Sequence, residues 1–438
     1  MMNGTQKRIL SLLLAAVMLL ALVACAQKEG TAVREETVTP GAEPAVQEDE
    51  KKEDVTLVYW CMWEAGETQG VAIRAAADAF TEETGIKVQI EFKGRDGNIQ
   101  GLQPALDAKT EIDIFDGYVD RINDVWGNYT LDLEELFEKY GMQSLTRPAF
   151  IEWTRNSGNG VLKGIPYQAS VAAWCYNKDI FAAAGVTETP KTWDEFVTAC
   201  EKIRAAGYDP ICDDTDYLGY MYGYAFARLA GQDAAEKVYF DGTWKECPEA
   251  LEAARLFEEL AQKNCFSPNI AASPWPNAQN TELGGGKAAM QFCGSWLPNE
   301  IRGVTGDDFN WGGFAFPDVG GVNGTEANNT TYQALAINKA SKHPDEAFQF
   351  IKWITTGKYD QMIAKDSWSI SADPANDDIH PSQIDFKDIC DTTTIRYDEG
   401  GGAYNNGDIT SDLLDNVGRL CGGTLSAEEF IDAMAAIY

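Results

Sequence analysis

The chain of 438 residues is 45% hydrophobic and 11% aromatic, which fills more than one core and excludes a disordered or collagen-like protein. Its 68 acidic residues outnumber its 35 basic residues, and the formal net charge of −33 repels phosphate backbones, so no nucleic-acid partner is expected. Only two histidines, His343 and His380, are present, which disfavours a catalytic triad or a multi-histidine metal site, and we predict no metal or other cofactor.

The amino terminus has the features of an export signal. Lys7 and Arg8 precede an apolar run over residues 9–21, which is short for a bilayer span of about 20 residues. A removed signal peptide over residues 1–24 is therefore favoured over a transmembrane anchor. The sequence LVAC that ends at Cys25 resembles the lipobox of bacterial lipoproteins. That resemblance implies acylation of Cys25 and a location on the outer face of the bacterial cytoplasmic membrane.

Residues 25–54 have the composition of a linker. They include Pro40, Pro44 and a charged run over residues 48–54, with almost no large apolar side chain. Because such a segment cannot bury a core, we predict a flexible tether between the lipid and the folded part of the chain.

The ten cysteines form no recognisable framework. Acylation of Cys25 would leave nine, an odd number, and the absence of any Cys-x-x-Cys pair disfavours a zinc cluster. Most of them have apolar neighbours, as Cys61 and Cys293 do. An exported chain can form disulfides, but small buried thiols are the favoured interpretation.

The folded part begins with alternating strands and helices. Residues 55–61 form a β-rich run suited to a buried strand, and residues 71–83 have helical spacing that ends at Gly85. Residues 86–92 alternate as a strand does, and residues 112–115 are a third candidate strand. This order predicts a parallel α/β sheet.

Capping patterns and apolar spacing indicate further helices. Thr192 and Glu195 have the spacing of a capping box, and Ser426 opens a last helix in the same way. Residues 248–263 and 344–355 are also predicted to be helices. The Gly- and Asn-rich residues 398–408 predict a loop.

Several motifs follow one another in a fixed order along the folded part. They are VLKGIPY at 161–167, YNKD at 176–179, PKTWDEF at 190–196, GKAAM at 286–290 and GSW at 294–296. In order and spacing they resemble the extracellular solute-binding proteins of ABC importers, the group that includes the maltodextrin-binding type. The resemblance extends from about residue 55 to the carboxyl end.

The resemblance implies a two-lobed, periplasmic-binding-protein-like α/β fold with a ligand cleft between the lobes. The chain would cross between lobes near residues 165–170, 316–320 and 365–371. Each lobe would be discontinuous: residues 55–167 and 319–366 form the first, and residues 168–318 and 367–438 form the second. Closure of such lobes around a ligand is a hinge motion.

The function implied is that of a monomeric, lipid-anchored binding protein, not an enzyme. It would capture a sugar or oligosaccharide and deliver it to the permease subunits of an ABC transporter. Two alternatives remain open: the same fold could bind a cationic molecule such as a polyamine, or two of the many carboxylates could hydrolyse extracellular glycans.

Residues that follow predicted strands are candidates for ligand contact, because ligands of open α/β sheets lie there. Trp63 and Glu64 follow the first strand, where ring stacking competes with an aromatic that only covers the strand. Asp96 follows the second strand, where a solvated turn is the alternative. Asp116 and Tyr118 follow the third strand, and a carboxylate is a natural partner for sugar hydroxyls.

Other candidates come from the resemblance. Tyr167 flanks the first crossing, Trp368 follows the third, and Asp216 and Tyr217 lie near a matching contact loop. Trp296, in the GSW motif, matches a tryptophan that forms a stacking platform in the family, although a core tryptophan at a helix start is the alternative. Further candidates near the Gly-rich loop are Arg396 and Tyr404.

Overall fold

A computed structural model describes residues 54–438 of the chain. The predicted signal peptide, the acylation site Cys25 and nearly all of the predicted tether lie outside these residues. Across the described range, no helix combines the length and the apolar character that crossing a membrane requires.

Strands from distant parts of the chain form the sheets. In chain order they are β1 (Thr56–Cys61), β2 (Lys87–Phe92), β3 (Ile114–Tyr118), β4 (Ile165–Val171), β5 (Trp174–Asn177), β6 (Asp209–Ile211), β7 (Ala288–Phe292), β8 (Trp311–Phe314), β9 (Ala327–Asn328), β10 (Thr330–Ile337) and β11 (Ile395–Arg396). A five-stranded sheet has the order β2-β1-β3-β10-β4, a four-stranded sheet has the order β6-β7-β5-β8, and β9 pairs with β11.

The first sheet is mixed. Strand β1 is parallel to both β2 and β3, which confirms the parallel arrangement predicted for the first three strands. Strand β10 then runs antiparallel to β3 and to β4. The third strand also begins and ends later than the predicted residues 112–115, a difference that changes the position of Asp116.

Helices cover the sheets. In chain order they are α1 (Thr68–Thr84), α2 (Gly94–Asp107), α3 (Glu134–Lys139), α4 (Pro148–Ser157), α5 (Lys178–Ala183), α6 (Trp193–Ala205), α7 (Leu218–Ala230), α8 (Gln232–Asp241), α9 (Pro248–Gln262), α10 (Leu297–Glu300), α11 (Arg302–Thr305), α12 (Pro344–Thr355), α13 (Gly357–Asp366), α14 (Ile384–Thr392), α15 (Gly407–Cys421) and α16 (Ala427–Ala435). Both predicted capping boxes are confirmed: the side chain of Thr192 accepts the amide of Glu195, and Ser426 does the same for Glu429.

Each sheet has its own aromatic packing. On the first sheet, Phe80 of α1 meets Phe350 of α12 edge to face, with ring centroids 5.3 Å apart. On the second, Trp174 lies 4.8 Å from Phe196 and 5.2 Å from Phe292. Trp174 is 1% exposed and therefore belongs to this core. The two separate packing centres fit the two lobes of the predicted fold.

The described cysteines are unpaired thiols. Eight of the nine are buried, and Cys247 alone among them is partly exposed. Burial raises the pKa of Cys175 and of Cys212 well above the ordinary value for a thiol. These side chains therefore pack as small apolar groups.

The crossing segments lie together beside the sheets. Ala169 of β4 exchanges two backbone hydrogen bonds with Ile370, of 2.9 and 3.2 Å. Gln168 and Trp368, next to these bonds, both have φ of +49°, a conformation that costs a non-glycine residue about 1–2 kcal/mol. The side chain of Gln168 also donates to Ser367 at 2.7 Å. Contacts between the segments thus hold a strained backbone.

The second crossing falls later than the sequence predicts. Asp318 exchanges backbone hydrogen bonds with Trp193 and Lys191, and Asn323 donates to Arg228, all on the side of the second sheet. The chain joins the first sheet only at Thr330, where β10 begins. The change of sheet therefore lies beyond the predicted boundary at residues 318–319.

Candidate functional site

A cavity of about 1160 Å³ lies where the two sheets and the crossing segments meet. Its wall combines residues that follow strands of the first sheet, residues from loops and helices of the second, and residues of the crossings. Those used below are Trp63, Glu67, Arg95, Tyr118, Asp120, Gln168, Tyr217, Tyr220, Trp275, Trp296, Asn299, Glu300, Thr331, Gln333, Trp368, Arg396 and Glu399. The volume suits a small-molecule ligand.

The ring of Trp63 forms part of the first-sheet wall, just after β1. Its indole N–H donates to the hydroxyl of Tyr167 at 2.7 Å. The guanidinium of Arg95 lies 4.6 Å from the ring centroid, and Glu67 holds that guanidinium at 2.6 Å. Trp63 is only 4% exposed, so a cation already occupies ring surface that a ligand would otherwise contact.

Trp368 is enclosed in a similar way. The ring of His380 is stacked parallel to it at 3.8 Å, and the guanidinium of Arg302 lies 4.5 Å from its centroid. Burial, and then the charge of Arg302, lower the pKa of His380, which favours the neutral imidazole. Trp368 is 3% exposed and contributes to the wall without an open ring face.

Trp296 is different, because part of its ring is open. It lies at the start of α10, is partly buried and lines the cavity. A Cβ atom on Gly294 would collide with the six-membered ring of Trp296, so the missing side chain lets the indole lie against backbone. That support orients the indole while its remaining surface borders the cavity.

A second open ring comes from Trp275, which is 50% exposed. Its indole N–H donates to Glu300 at 3.0 Å, and the same carboxylate oxygen accepts the side chain of Gln279 at 3.0 Å. Gln279 is buried, so the contacts run from the cavity wall into the second lobe. The hydrogen bond fixes the direction of the indole without covering its faces.

Charged groups of the wall are paired with one another. The guanidinium of Arg396 on β11 lies 3.1 Å from the carboxylate of Asp120, which follows β3 on the opposite side. Arg396 also donates to the carbonyl of Thr330 at 2.9 Å. Glu399 accepts the hydroxyl of Tyr220 at 2.8 Å. The cavity therefore carries both signs of charge, largely satisfied within the protein.

Two predicted ligand contacts lie beneath the wall. Asp116 is 0% exposed and Tyr167 is 1% exposed, and neither borders the cavity. Because β3 continues to Tyr118, Asp116 is inside the strand, where it pairs with Leu335 of β10. Tyr118, at the strand's end, does border the cavity. The late end of the strand therefore separates the two neighbours that the sequence placed together.

Three other predicted contacts lie outside the cavity. Glu64 and Asp96 are exposed on the first-lobe surface, Asp96 in the first turn of α2. Asp216 is exposed in the short turn before α7, although its neighbour Tyr217 lines the wall. The structure thus brings together Trp63, Tyr118, Tyr217, Trp296 and Trp368, and it does not bring these three acids to them.

Several wall residues carry no recognisable signal in the sequence. Glu67 and Trp275 follow no predicted strand, and Glu300 and Glu399 lie on short helical turns. Trp275 stands between two prolines, which indicates an exposed loop but not its direction. Within the described residues, no group of three His, Cys, Asp or Glu side chains is arranged to hold a metal ion.

Comparison with known proteins assigns the family. The family model for bacterial extracellular solute-binding proteins matches residues 64–361, more than half of the chain. The chain therefore belongs to the bacterial extracellular solute-binding protein family.

Among curated relatives, a protein of Brucella abortus named as a binding protein is 26% identical over 45% of this chain and 47% of its own length. The multiple sugar-binding protein of Streptococcus mutans is 25% identical over 52% of this chain and 57% of its own length. The chain thus spans about half the length of these relatives.

Solved structures show the same two-lobed fold. The apo form of RafE from Streptococcus pneumoniae has a TM-score of 0.71 at 18% identity, over 87% of this chain and 97% of that one. A chitin oligosaccharide binding protein has a TM-score of 0.65 at 20% identity, over 88% of this chain and 98% of that one. At this identity the likeness concerns the fold, which agrees with the predicted fold class.

Proposed function

We propose that this protein captures a neutral sugar or oligosaccharide in the cavity and releases it to an ABC transporter permease. The observation that carries the proposal is the ring of Trp296, which lies on Gly294 and borders the cavity. A sugar ring has an apolar C–H face that such an indole can contact. The other open ring, Trp275, adds a second surface of the same kind.

The neutral polar groups of the wall support a polyol ligand. Gln168, Asn299, Thr331 and Gln333 offer amides and hydroxyls that both donate and accept hydrogen bonds. Sugar hydroxyls need such mixed partners around their ring plane. Two of the relatives are named for ligands of this chemistry, the multiple sugar-binding protein and an erythritol/L-threitol-binding protein of Mycolicibacterium smegmatis.

A polyamine ligand is less well supported, because the acidic side chains in and around the cavity are not free to hold a cation. Asp116 and Asp214 are 0% exposed, and Asp216 lies outside the wall. Asp120 borders the cavity but is paired with Arg396. The wall has four carboxylates and three arginines, so its charges nearly cancel.

A glycan hydrolase is also disfavoured. The four carboxylates of the wall all accept hydrogen bonds or ion pairs from other residues of the chain, as Glu67 does from Arg95 and Glu399 does from Tyr220. The family is one of binding proteins.

We propose that binding occurs without chemical change, by a monomer that needs no cofactor, and that the lobes meet at the three crossings.

The test of ligand class is a thermal-shift screen of the purified chain with maltotriose, raffinose, chitobiose and spermidine. A ligand that binds only the folded state raises the melting temperature. We expect a sugar to do so, and calorimetry at low and high salt to give nearly equal dissociation constants. A shift with spermidine alone, weakened by salt, would contradict the proposal.

We also propose that the chain is anchored through a lipid on Cys25, on the strength of the sequence LVAC before and at that residue. Metabolic labelling with palmitate in a bacterial host tests this. Cys25→Ser should lose the label and release the protein from the membrane fraction, whereas Cys247→Ser should keep both. Equal labelling of the two variants would refute the anchor.

A further inference from the structure

The buried residues beneath Trp63 form a continuous hydrogen-bonded network. The indole N–H of Trp63 donates to the hydroxyl of Tyr167 at 2.7 Å, and that hydroxyl lies 2.5 Å from Oδ2 of Asp116. The hydroxyl of Tyr59 reaches the same oxygen at 2.8 Å, and the amide of Met62 donates to Oδ1 at 2.7 Å. All of these residues are at most 4% exposed.

The direction of each hydrogen bond in the network is determined by chemistry. An indole N–H can only donate, so the oxygen of Tyr167 accepts from Trp63. The proton of Tyr167 must then point to Asp116. Burial raises the pKa of Asp116 to about 6, and the donors Tyr167, Met62 and Tyr59 act against that rise. Both oxygens of Asp116 face donors, two hydroxyls at Oδ2 and the amide of Met62 at Oδ1, so this carboxylate is the acceptor at the end of the chain.

Asp116 itself is fixed from three further directions. It lies in the middle of β3, between β1 and β10 of the first sheet. Its backbone carbonyl accepts the side-chain amide of Asn98 at 2.7 Å. Because its side chain and its backbone are both engaged, the carboxylate has a defined position from which the tyrosines can be oriented.

Tyr167 connects this network to the hinge. It lies on β4, the first crossing strand, next to Gln168 with its φ of +49° and its bond to Ser367 of the third crossing. A change of backbone angle at the crossing would move the hydroxyl of Tyr167 relative to Asp116 and Trp63. The hydroxyl of Tyr167 therefore links the position of the Trp63 indole to the backbone conformation of the first crossing strand.

We propose that Asp116 and Tyr167 are positioning residues that hold the indole of Trp63 in the cavity wall and tie its orientation to the first crossing strand. This inference rests on the proposed function only where it concerns ligand affinity. Asp116 and Tyr167 were predicted to contact the ligand, but neither borders the cavity, so they act through Trp63. Arg95, held by Glu67, lies over the face of the indole, while the N–H bond to Tyr167 restrains its edge.

Two tyrosines of the network, Tyr167 and Tyr59, allow a matched pair of variants. Tyr167→Phe and Tyr59→Phe each remove one buried hydroxyl that donates to the same carboxylate oxygen. Both should lower the melting temperature, by about 2–4 °C for each kcal/mol lost, and Tyr167→Phe should lower it more, because it also leaves the buried indole N–H of Trp63 without its acceptor. Only Tyr167→Phe removes the acceptor of Trp63. If Tyr167 only stabilised the fold, the two variants would still be alike in the indole resonance of Trp63 and in ligand affinity.

The first measurement needs no ligand. Amide and indole ¹H–¹⁵N spectra of the full chain contain a Trp63 indole resonance, identified by its loss in Trp63→Phe. We expect Tyr167→Phe to shift this resonance towards that of an unbonded indole, and Tyr59→Phe to leave it in place. An unshifted resonance in Tyr167→Phe, or equal shifts in both variants, would overturn the inference.

The second measurement is affinity for whichever of maltotriose, raffinose or chitobiose binds the wild type. We expect Tyr167→Phe to weaken binding at least about fivefold and Tyr59→Phe less than about twofold. Equal weakening would overturn the link to the cavity. If the wild type binds none of these sugars, the proposed function fails on that panel, while the indole resonance still decides the positioning role.

Discussion

Arg396 and Asp120 form an ion pair across the cavity, with 3.1 Å between a guanidinium nitrogen and a carboxylate oxygen. Arg396 belongs to β11, which pairs with β9 beside the second sheet, whereas Asp120 follows β3 of the first sheet. Their side chains are 17% and 52% exposed, so solvent weakens the attraction. The pair is therefore a weak contact across the cavity.

Removing this pair should favour the open state of the ligand-free protein. We expect Arg396→Gln and Asp120→Asn each to increase the radius of gyration measured by small-angle X-ray scattering. In a double-mutant cycle of the free energy of unfolding, the coupling energy between Arg396 and Asp120 should be at most about 1 kcal/mol, because the pair is partly exposed. Arg255→Gln, which breaks an ion pair to Glu428 within the second lobe, is the control and should leave the radius unchanged. An unchanged radius of gyration in both Arg396→Gln and Asp120→Asn would refute the proposal that this ion pair disfavours the open state.

Truncation of the open ring should remove most of the sugar affinity. We expect Trp296→Ala to raise the dissociation constant by at least about tenfold, because a well-supported aromatic contact contributes on the order of 2 kcal/mol. Trp153→Ala removes another partly buried tryptophan that does not border the cavity and should leave affinity unchanged. Calorimetry checks both, and unchanged affinity in Trp296→Ala would exclude that ring from the site.

Stability should fall as pH rises from about 4 to about 7. Burial raises the pKa of Asp360 to about 7 and that of Asp214 to about 6, above the value of about 3.9 in unfolded chains. In this window the folded protein holds protons that the unfolded chain has released. The free energy of unfolding therefore decreases with pH, and the stabilisation is lost as pH passes the folded-state pKa values.

Asp360→Asn tests this pH dependence. The free energy of unfolding of this variant should be lower than that of the wild type, because Asp360 accepts the amides of Ala372 and Asp373. It should also vary less between about pH 4.5 and about pH 7.5, the range between the unfolded and folded pKa values of Asp360. The control is Asp345→Asn. Burial acts to raise the pKa of Asp345, but contacts with Lys139 and Tyr140 outweigh it and lower this pKa. The effect of Asp345 on stability therefore changes at pH values below this range. Urea denaturation at each pH gives the slopes, and equal slopes for Asp360→Asn and wild type would contradict the prediction.

Thiol reactivity should separate Cys247 from the other described cysteines. Cys247 alone among them is partly exposed, and burial raises its pKa, so alkylation of the folded protein should be slow and confined to it. Peptide mapping after a short iodoacetamide pulse should find the label on Cys247, and Cys247→Ser should abolish labelling of residues 54–438. Rapid modification of Cys175 or Cys212 would show that the second-lobe core opens readily.

Local patterns were sufficient for several helices and strands and for the family. The capping boxes at Thr192 and Ser426 predicted helix starts correctly, because each depends on residues only three positions apart. The order of strand, helix and strand predicted the parallel pairing of β1 with β2. Motifs in fixed order predicted the family and its two-lobed fold, since they reflect the sequence of the elements themselves.

Only the tertiary structure decided which side chains reach the cavity. Asp116 and Tyr118 are two residues apart, yet the first is buried within β3 and the second borders the cavity, because the strand ends later than its apolar run. The faces of Trp63 and Trp368 are occupied by Arg95 and by His380, groups distant from them in sequence. Short-range spacing determines where a helix or strand forms, whereas the accessibility of a ring depends on which distant side chain packs against it.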